Sequence, residues 1–593
     1  MGKKEKKKIC KLIIDKKPIT DTKQICTEFN NFFTNVGPKL AKEIPSPSNI
    51  TVEMFLQRQI STSFKFKLTN IEQNKKVLMS LRSKPSAGDD GISVTLLKII
   101  SPALLPALTL IINQSLVTGI FPAKLKIAKV IPLYKKEDDT IVGNYRPVSL
   151  LPAISKLFEK ITFNQLYEYF QTNKLFHVSQ YGFRQQHSTE FAALELADRV
   201  FRELDNKNIS VAVFMDLSKA FDTLDHSILL QKLQFYGIHD IELNWFESYL
   251  SDRYQFVEID GIKSDLNRLY TGVPQGSILG PLLFLIYMND ICNSTNKFEF
   301  ILYADDTTLY ISFTSRTDTS ELINPEIRKV SRWLSINKLS INSGKTKYIL
   351  FHAKNKDLTR CIPTIIVQGN IVKRVQNFNF LGIVFNENMS WKTHLDKLSN
   401  KLSRTAGVLN RIKRTVPLHI MRTLYHSMAQ SYLNLGILAW GFENLRINKI
   451  QKKLIRIVAC AKYNAHTEPL FKALDILTVN DMFNLQSLKF YYKHTKGYLP
   501  EYFKSMQFIP LANIHSHDTR NKHHIPANYT RLHMTQNCIR NYISKIVTKS
   551  PPNIIDKIST HSLHGFAIYI KKHFIASYTD TCIIENCYVC GRT

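Results

Sequence analysis

Phe298-Glu-Phe-Ile-Leu-Tyr-Ala-Asp-Asp-Thr-Thr-Leu-Tyr-Ile-Ser-Phe313 is the stretch of sequence that decides the fold. Apolar and aromatic runs flank the polar centre Asp305-Asp306 on both sides, a pattern typical of two strands joined by a tight turn. Adjacent carboxylates repel each other and lose hydration when a domain packs around them, so a fold accepts them readily when a cation lies between them. Alone, the pair also fits a solvated Asp-Asp hairpin turn. The rest of the chain decides between these two interpretations.

Composition points to a polyanionic partner. The chain has 593 residues, with 79 Lys and Arg against 48 Asp and Glu, and a formal net charge of +31. Such a charge favours nucleic acid first and an anionic membrane second. Nine scattered cysteines suit a reducing compartment, and no apolar segment follows Met1. The apolar stretch 103–120 is interrupted by Pro106, Asn113 and Gln114, so we expect no membrane-spanning segment and an intracellular protein, nuclear and/or cytoplasmic.

A further carboxylate, Asp216, follows the apolar run Ser210-Val-Ala-Val-Phe-Met215, which predicts a buried strand. Asp216 fits either an N-cap or a metal ligand. The glycine-rich loop Gly272-Val-Pro-Gln-Gly-Ser-Ile-Leu-Gly280 and an apolar helix over 281–291 separate it from the Asp305-Asp306 pair. If the two strands are adjacent in a sheet, all three carboxylates converge at one edge. In a basic protein, that arrangement suggests paired divalent cations holding a phosphate.

Two other stretches carry candidate binding residues. Lys135, Lys136 and Arg146 could form a cationic pocket for a triphosphate, although ordinary surface charge is the alternative and is the one we favour for Lys136. Gln180-Tyr-Gly-Phe-Arg184 is a loop with two aromatic rings and one cation, which could stack on and grip a template strand or be simply packed.

The two ends of the chain differ from its middle. Residues 1–8 form a basic tail, 21–44 predict an amphipathic helix with a break at Gly37-Pro38, and a Pro/Ser linker follows at 45–48. Residues 391–415 give a strongly basic helical pattern, and helices are expected to continue to about 497. The C-terminal pair Cys587-x-x-Cys590 has zinc-like spacing, but no clean second pair accompanies it, so reduced cysteines are the better interpretation.

The motifs occur in an order that resembles a known family. Met215-Asp216 through Phe221, Gly272-Val-Pro-Gln-Gly-Ser277 and Tyr303-Ala-Asp-Asp306 resemble the catalytic motifs of reverse transcriptases. Asn144-Tyr-Arg-Pro-Val-Ser-Leu-Leu151, Gln180-Tyr-Gly-Phe-Arg184 and Asn379-Phe-Leu-Gly382 narrow the resemblance to the jockey-like polymerases of non-LTR retrotransposons. The similarity is specific over roughly 84–384 and fainter to about 530.

This resemblance implies an α+β, right-hand polymerase fold. Fingers and a palm with an antiparallel sheet would occupy 61–390, after a basic tail and linker-like helical extension in 1–60. A helical thumb and connection would occupy 391–500, and a helical or irregular basic region of unknown role 501–593. Such elements usually carry an endonuclease upstream, and 21–44 resembles the linker that follows it, so we expect the chain to lack that nuclease.

The family's functional residues transfer onto matching positions. Asp216, Asp305 and Asp306, with the backbone carbonyl of Leu217, would bind two Mg²⁺ ions, for which Mn²⁺ could substitute. Lys345 would act as a general acid near the leaving pyrophosphate. The nucleotide would contact Lys135, Arg146, Phe221 (the steric gate against a 2′-hydroxyl), Gln275 and Gly276. The template and primer would contact Gln180, Gly182, Phe183 and Arg184. Phe380, Leu381 and Gly382 would form the primer grip.

The activity implied is that of an RNA-directed DNA polymerase with an RNA template, a DNA primer and dNTPs as partners. The sequence carries no signal for an oligomeric state. An alternative is a catalytically silent nucleic-acid-binding remnant of such a polymerase, although Asp216, Asp305 and Asp306 are all in place. A third hypothesis is an RNA-templated RNA polymerase or an intron maturase. Phe221 argues against the former and the flanking motifs against the latter.

Overall fold

The structure, a computed structural model, describes most of the residues of the chain. These are 9–44, 51–56, 62–314, 319–356, 358, 361–514, 524–527 and 529–580. The predicted basic tail, the Pro/Ser linker and the Cys587/Cys590 pair lie outside the described residues.

Most of the helices in the described residues lie before residue 250 or after residue 391. In chain order they are α1 (Thr22–Glu43), α2 (Ile71–Ser80), α3 (Val94–Thr118), α4 (Ala153–Thr172), α5 (Thr189–Asp205), α6 (His226–Phe235), α7 (Asp240–Leu250), α8 (Gly280–Met288), α9 (Thr319–Ile336), α10 (Lys392–Ile412), α11 (Leu418–Tyr425), α12 (Ser431–Asn434), α13 (Ile437–Trp440), α14 (Leu445–Val458), α15 (Glu468–Ala473), α16 (Val479–Thr495), α17 (Glu501–Lys504), α18 (His533–Gln536), α19 (Ile539–Lys549), α20 (Pro552–Thr560) and α21 (Leu563–Ala576).

The strands form two larger sheets and three small ribbons. In chain order they are β1 (Leu12–Ile14), β2 (Lys17–Ile19), β3 (Ile127–Tyr134), β4 (Tyr145–Leu150), β5 (Ile209–Met215), β6 (Arg253–Ile259), β7 (Ile262–Lys263), β8 (Asn267–Leu269), β9 (Glu299–Tyr303), β10 (Asp306–Phe313), β11 (Lys347–Phe351), β12 (Ile366–Val367), β13 (Asn370–Ile371), β14 (Lys373–Arg374), β15 (Asn377–Phe380) and β16 (Ile383–Asn386). The central sheet has the order β14-β11-β5-β10-β9, and the second sheet has the order β4-β3-β6-β7, with β8 also paired to β6.

Strand β5 lies in the middle of the central sheet and is buried along its whole length. It pairs antiparallel with both β10 and β11. Because side chains alternate across a sheet, Val211, Val213 and Met215 enter the core on one face and Ala212 and Phe214 enter the core on the other. The sequence-based prediction of a buried strand that ends at Asp216 is confirmed.

The C-terminal helices cover the face of the central sheet that carries Phe214. Residues from α10 to α21 form one continuous apolar core with this face. Beyond residue 500 the chain is tied to α5 through Asp198, which accepts hydrogen bonds from the Tyr502 hydroxyl at 2.6 Å and from the Arg540 guanidinium at 2.7 Å. The region after residue 500, to which the sequence assigned no role, therefore shares its core with the helices before it.

Helix α3 is longer than the apolar stretch at 103–120. By length and composition alone, this 25-residue helix could cross a membrane, and 33% of its most apolar 18-residue window is buried. The helix begins at Val94, and Pro102 and Pro106 lie inside it. Leu97, Leu105 and other residues of one face join the main core.

Helix α1 corrects the predicted break at Gly37-Pro38, because it continues without interruption to Glu43. Its buried face meets strands β3, β4 and β6 in a separate small core that includes Phe29, Phe33 and Tyr145. Tertiary packing of this face, rather than local propensity, keeps the helix intact through the proline.

His394 of α10 predicts an acid-sensitive contact. Its Nδ1 accepts a hydrogen bond from the Val384 amide at 3.3 Å, and burial, followed by the Lys401 and Lys397 charges, lowers its pKa to about 4. The folded state therefore holds the neutral ring, whereas the unfolded chain takes up a proton below about pH 6.5, so stability falls as the pH drops from 6.5 towards 4. The expected contribution is up to about 3 kcal/mol at pH 4.

Urea unfolding at pH 7.5 and pH 5 checks this expectation. His394→Gln retains a hydrogen-bond acceptor but cannot take up the proton, so its midpoint should fall less between the two pH values than that of the wild type. The exposed His419 supplies the matched control, His419→Gln, which should behave as the wild type. Equal pH dependence in all three proteins would contradict the assignment.

Candidate functional site

The hairpin of β9 and β10 presents the Asp305-Asp306 pair at its tip. Asp306 pairs with Tyr303, which leaves Ala304 and Asp305 as a two-residue loop. Ala304 has φ 56°, and short hairpin loops of this kind require a positive φ because that backbone twist matches the twist of the flanking strands. The predicted strand–turn–strand is confirmed.

Pairing of β10 with β5 brings Asp216 next to this tip. Thr307 lies opposite Met215, so the following antiparallel step sets Asp306 beside Asp216. Asp216 and Asp305 both line the large cleft that opens at this edge of the sheet, and the exposed Asp306 lies beside them. The structure therefore brings Asp216 and Asp305 together in the cleft at one sheet edge, with Asp306 next to them in the chain but not among the residues that line the cleft.

The charges of the three carboxylates affect one another's pKa values. Desolvation, followed by the Asp305 and Asp216 charges, raises the pKa of Asp306 to about 6. Desolvation, with the Asp216 charge as a further contribution, raises the pKa of Asp305 against the opposing effect of Arg146 and Lys135. Like charges that are held together in this way favour a bound cation.

The backbone carbonyl of Leu217 faces the same region. Leu217 pairs with Ile341, and the flanking hydrogen bonds run from Asn342 N to Asp216 O (2.8 Å) and from Ser218 N to Ser340 O (2.8 Å). In an antiparallel ladder, the N–H and C=O of the residue between two such bonds point away from that partner strand. For Leu217, this direction is the side of the sheet on which the β9–β10 hairpin lies.

The loop at 180–184 packs against the β9–β10 hairpin. The buried Gln180 side chain accepts hydrogen bonds from the amides of Gly182 (2.8 Å) and Ala304 (3.3 Å). A Cβ on Gly182 would lie 2.3 Å from the Ala304 nitrogen, so the loop touches the hairpin backbone where a side chain has no room. This placement differs from the expected template contact of Gln180 and Gly182, because both are buried and engaged by the hairpin.

The other two residues of this loop have different surroundings. Phe183 is 49% exposed, and its ring lies 6.4 Å from that of Phe221 in an edge-to-face arrangement. The Arg184 guanidinium donates to the carbonyl of His177 at 2.9 Å and lies over the Phe176 ring. Phe183 is therefore available to a ligand near Phe221, whereas Arg184 is engaged within its own loop.

A cleft of about 860 Å³ extends from the carboxylates to a group of cations. Lys135 follows β3, Arg146 lies on the exposed side of β4, and Lys345 lies in the turn before β11. The Lys345 ammonium is 3.5 Å from an Asp216 oxygen and its side chain is 61% exposed. Partial desolvation, followed by the charges of Arg146 and Lys345, lowers the pKa of Lys135. The structure thus brings these three predicted residues together.

Lys136 and Lys219 also line the cleft, and Lys219 was not identified from the sequence. It comes three residues after Asp216 and has φ 50°, and its ammonium donates to the Tyr145 carbonyl at 3.4 Å. Burial lowers its pKa, with further contributions from the charges of Lys135, Lys345 and Arg146. Its position, three residues after the candidate metal ligand Asp216, was the feature of the sequence that could have identified Lys219.

Phe221 and the glycine-rich loop form the floor of the cleft. The Phe221 ring stacks on that of Phe284 from α8, with centroids 4.4 Å apart and an interplanar angle of 20°. The Gln275 amide donates to Asp222 at 2.8 Å. Gly276 has φ 140°, and a Cβ there would lie 2.4 Å from the Ser149 carbonyl oxygen, so a glycine is required where the loop touches β4.

The hairpin of β15 and β16 carries the remaining predicted residues. Its two-residue loop is Leu381-Gly382, with φ 49° and 93°, the conformation of a type I′ turn. Phe380 is buried with its ring 5.5 Å from that of Phe214, and Phe378 stacks on Phe214 at 4.0 Å. The hairpin is therefore fixed beneath the central sheet, on the face opposite to the main core, with Leu381 and Gly382 at its tip.

Comparison with known proteins identifies the domain that holds this site. Residues 134–385 match the family described as reverse transcriptase (RNA-dependent DNA polymerase). The chain is 26% identical over 446 residues to the RNA-directed DNA polymerase from mobile element jockey of Drosophila melanogaster, an alignment that covers 72% of this chain and 48% of that protein.

Two other relatives agree with this result. The jockey polymerase of Drosophila funebris is 23% identical over 452 residues (74% of this chain, 49% of that protein). The Pol polyprotein of type-1 retrotransposable element R1 from Bradysia coprophila is 27% identical over 377 residues (62% and 36%). The chain spans about half the length, or less, of these relatives.

Proposed function

We propose that this chain, which carries a reverse transcriptase domain and is similar to the polymerases of jockey-type non-LTR retrotransposons, copies an RNA template by extending a DNA primer with dNTPs. The observation that carries the proposal is one cleft lined by both carboxylates and cations. Asp216 and Asp305 line it together with Lys135, Arg146 and Lys219. A primer 3′-hydroxyl and a nucleoside triphosphate need both kinds of charge within reach of each other.

The oxygen ligands that the carboxylates and one backbone carbonyl offer in the cleft fit divalent cations. Asp216, Asp305 and Asp306, with the Leu217 carbonyl, offer the hard oxygen ligands that Mg²⁺ and Mn²⁺ take. Among the described residues, no three side chains of the usual ligand types form a complete metal site as they stand. Substrate phosphate and water would therefore complete the coordination. Two bound Mg²⁺ ions would activate the primer hydroxyl and support the departing pyrophosphate.

The chain's own cations would hold the triphosphate. Arg146 presents a planar, bidentate donor and Lys135 and Lys219 present point charges, so together they would offset the triphosphate charge. Lys345 lies on the exposed side of Asp216, from which it would donate a proton to the leaving pyrophosphate. Gln275, held by Asp222, and Gly276 would border the new base pair.

The right-hand polymerase fold that we propose assigns a role to each part of the chain around the site. In our proposal, the central sheet is the palm, the elements of 61–390 around it include the fingers, and 391–500 form the thumb and connection. Helix α10 exposes Lys392, Lys397, Lys401 and Arg404 and buries Leu395, Leu398 and Leu402, so it presents a basic stripe to a duplex backbone. Phe183 would meet the template, and the tip of the β15–β16 hairpin would meet the primer.

Phe221 is expected to exclude ribonucleotides. Its ring is fixed on Phe284, so it would stack under the sugar and clash with a 2′-hydroxyl. Phe221→Val should raise the efficiency of rTTP incorporation relative to dTTP by about 10²-fold, close to 3 kcal/mol of discrimination. Steady-state kcat/KM values for the two nucleotides measure this ratio.

Phe284→Leu provides a second variant on the other ring of the stack. It should relax the same ratio by a smaller factor, since it loosens the Phe221 ring without removing it. An unchanged ratio in Phe221→Val would remove this residue from the sugar site.

The test of the proposed activity is single-nucleotide incorporation opposite a defined RNA base. A DNA primer annealed to an RNA template with adenine as the next base should gain dTMP, and guanine at the same position should direct dCMP instead. Addition that ignores the template base would overturn template-directed polymerisation. Absence of addition, with duplex binding retained, would overturn the polymerase assignment.

A further inference from the structure

Helix α1, predicted from the sequence as a linker-like extension, lies against the candidate nucleotide site. Val36 and Leu40 line the same cleft as Asp216, Arg146 and Lys219. The helix also packs on the segment at Gly143, where an added Cβ would be 3.9 Å from the Phe32 ring. Helix α1 thus borders the cleft that holds the carboxylates and the cations.

The contact between α1 and the site is too close for any side chain at one position. A Cβ on Gly37 would lie 2.2 Å from the Asp222 carbonyl oxygen and 2.4 Å from the Thr271 hydroxyl. Asp222 in turn binds the Gln275 amide, and its main chain follows Phe221 directly. Helix α1 therefore abuts the same segment that carries the proposed sugar and base contacts.

Helix α1 also contributes to holding Lys219. The Phe32 ring lies 5.4 Å from the Lys219 ammonium, in a cation–π arrangement, while the Tyr145 carbonyl accepts a hydrogen bond from the same ammonium. Both contacts restrict the ammonium to the cleft.

The helix has its own firm attachment to the domain. The buried Asn30 amide donates to the main-chain carbonyl of Asp265 at 2.8 Å, and Lys23 pairs with the Asp265 carboxylate at 2.9 Å. The apolar side of α1 is packed on β3, β4 and β6. The position of the helix relative to the cleft is thus set by packing and by polar contacts.

From these contacts we infer that α1 is a wall of the nucleotide site, which limits the space in the cleft through Val36 and Leu40 and positions Lys219 through Phe32. The inference rests on the proposed function, because it takes the occupant of the cleft to be a dNTP. It makes α1 part of the polymerase site rather than a linker.

Val36→Trp tests the wall directly. The larger ring would fill cleft space, so KM for dTTP should rise at least about tenfold while kcat changes by less than about threefold, the pattern of lost ground-state binding. Asn35→Trp, on the exposed side of the same helix, is the matched control and should keep the wild-type KM. Equal KM values in the two variants would overturn the inference.

A second measurement separates this inference from the proposed activity. Equilibrium binding of dTTP with Ca²⁺, to protein on a primer–template whose primer ends in a dideoxynucleotide, needs no turnover. If the wild type binds dTTP but does not extend a primer, the proposed function fails, and weaker binding by Val36→Trp than by Asn35→Trp still supports the wall. If the wild type does not bind dTTP, the inference fails as well.

The link between Phe32 and Lys219 is tested by a double-mutant cycle on the KM for dTTP. Phe32→Leu and Lys219→Met should each raise KM, and the double variant should raise it little beyond Lys219→Met alone, because the ring acts through the ammonium. Additive effects would show that Phe32 does not position Lys219.

Discussion

Asp305→Asn is expected to lower primer extension more than about 10³-fold, or roughly 4 kcal/mol of transition-state stabilisation. The change keeps the size of the side chain and the two-residue loop but removes a charge from the pair that borders Asp216. Because metal-dependent phosphoryl transfer needs both positioning and charge at this point, kcat should fall far more than template–primer binding.

The same change should leave the fold intact. Asp305 contributes to raising the pKa of Asp306 to about 6, so its charge repels a neighbour at neutral pH. In the absence of divalent cations, Asp305→Asn should therefore have a thermal midpoint equal to or slightly above that of the wild type. Neutralising a functional group that is repelled by its neighbours commonly has this effect. A variant that polymerises at the wild-type rate would contradict the site assignment.

Asp556→Asn is the matched control for this experiment. Asp556 is an exposed carboxylate on α20, in the C-terminal region. Its neutralisation changes the net charge of the chain by the same amount, so it separates a local effect from a general loss of acidity. We expect its extension rate to stay within about twofold of the wild type, as surface substitutions usually have small effects.

Lys232→Met is expected to destabilise the domain by about 3–5 kcal/mol, the usual penalty for leaving a buried charge without its partner. Lys232 is fully buried at 0% exposure and its ammonium lies 2.6 Å from an Asp290 oxygen. The other Asp290 oxygen accepts a hydrogen bond from the Trp333 indole at 2.8 Å. Urea unfolding, with resistance to proteolysis as a second probe, would measure the loss in the free energy of unfolding.

Two further variants show whether the penalty comes from the uncompensated carboxylate. Lys232→Met with Asp290→Asn should recover part of the lost stability, since neither charge then remains buried alone. Lys338→Met removes a lysine that is 45% exposed and pairs with Asp225 at 2.6 Å. Because the Lys338 side chain is partly solvated, losing this pair should cost less than losing the fully buried Lys232–Asp290 pair, about 1 kcal/mol. Equal losses in Lys232→Met and Lys338→Met would contradict the assigned cause.

The local features of the site could be predicted from the sequence because they depend on neighbouring residues. The alternation around Asp305-Asp306 specifies a hairpin, and the apolar run before Asp216 specifies a buried strand. Their adjacency was a condition that the sequence pattern left open, and the pairing of β5 with β10 meets it. Gly276 and Gly382 likewise have the positive φ values that tight loops demand.

The remaining features depend on packing between distant parts of the chain. Gln180 and Gly182 lie in a loop whose partner, the β9–β10 hairpin, is over 100 residues away in the sequence. Helix α1 was predicted as amphipathic, but its pattern does not indicate that the helix borders the cleft or that Phe32 meets Lys219. Likewise, the attachment of the C-terminal helices to α5 through Asp198 has no local signal.

Extension of oligo(dT) on poly(rA) by the purified chain, with Mg²⁺ and dTTP, is the decisive experiment. We expect a ladder of extended products with the wild type and none with Asp305→Asn, while both proteins bind the duplex equally well. Duplex binding without extension by the wild type would contradict it and would favour a nucleic-acid-binding protein without polymerase activity.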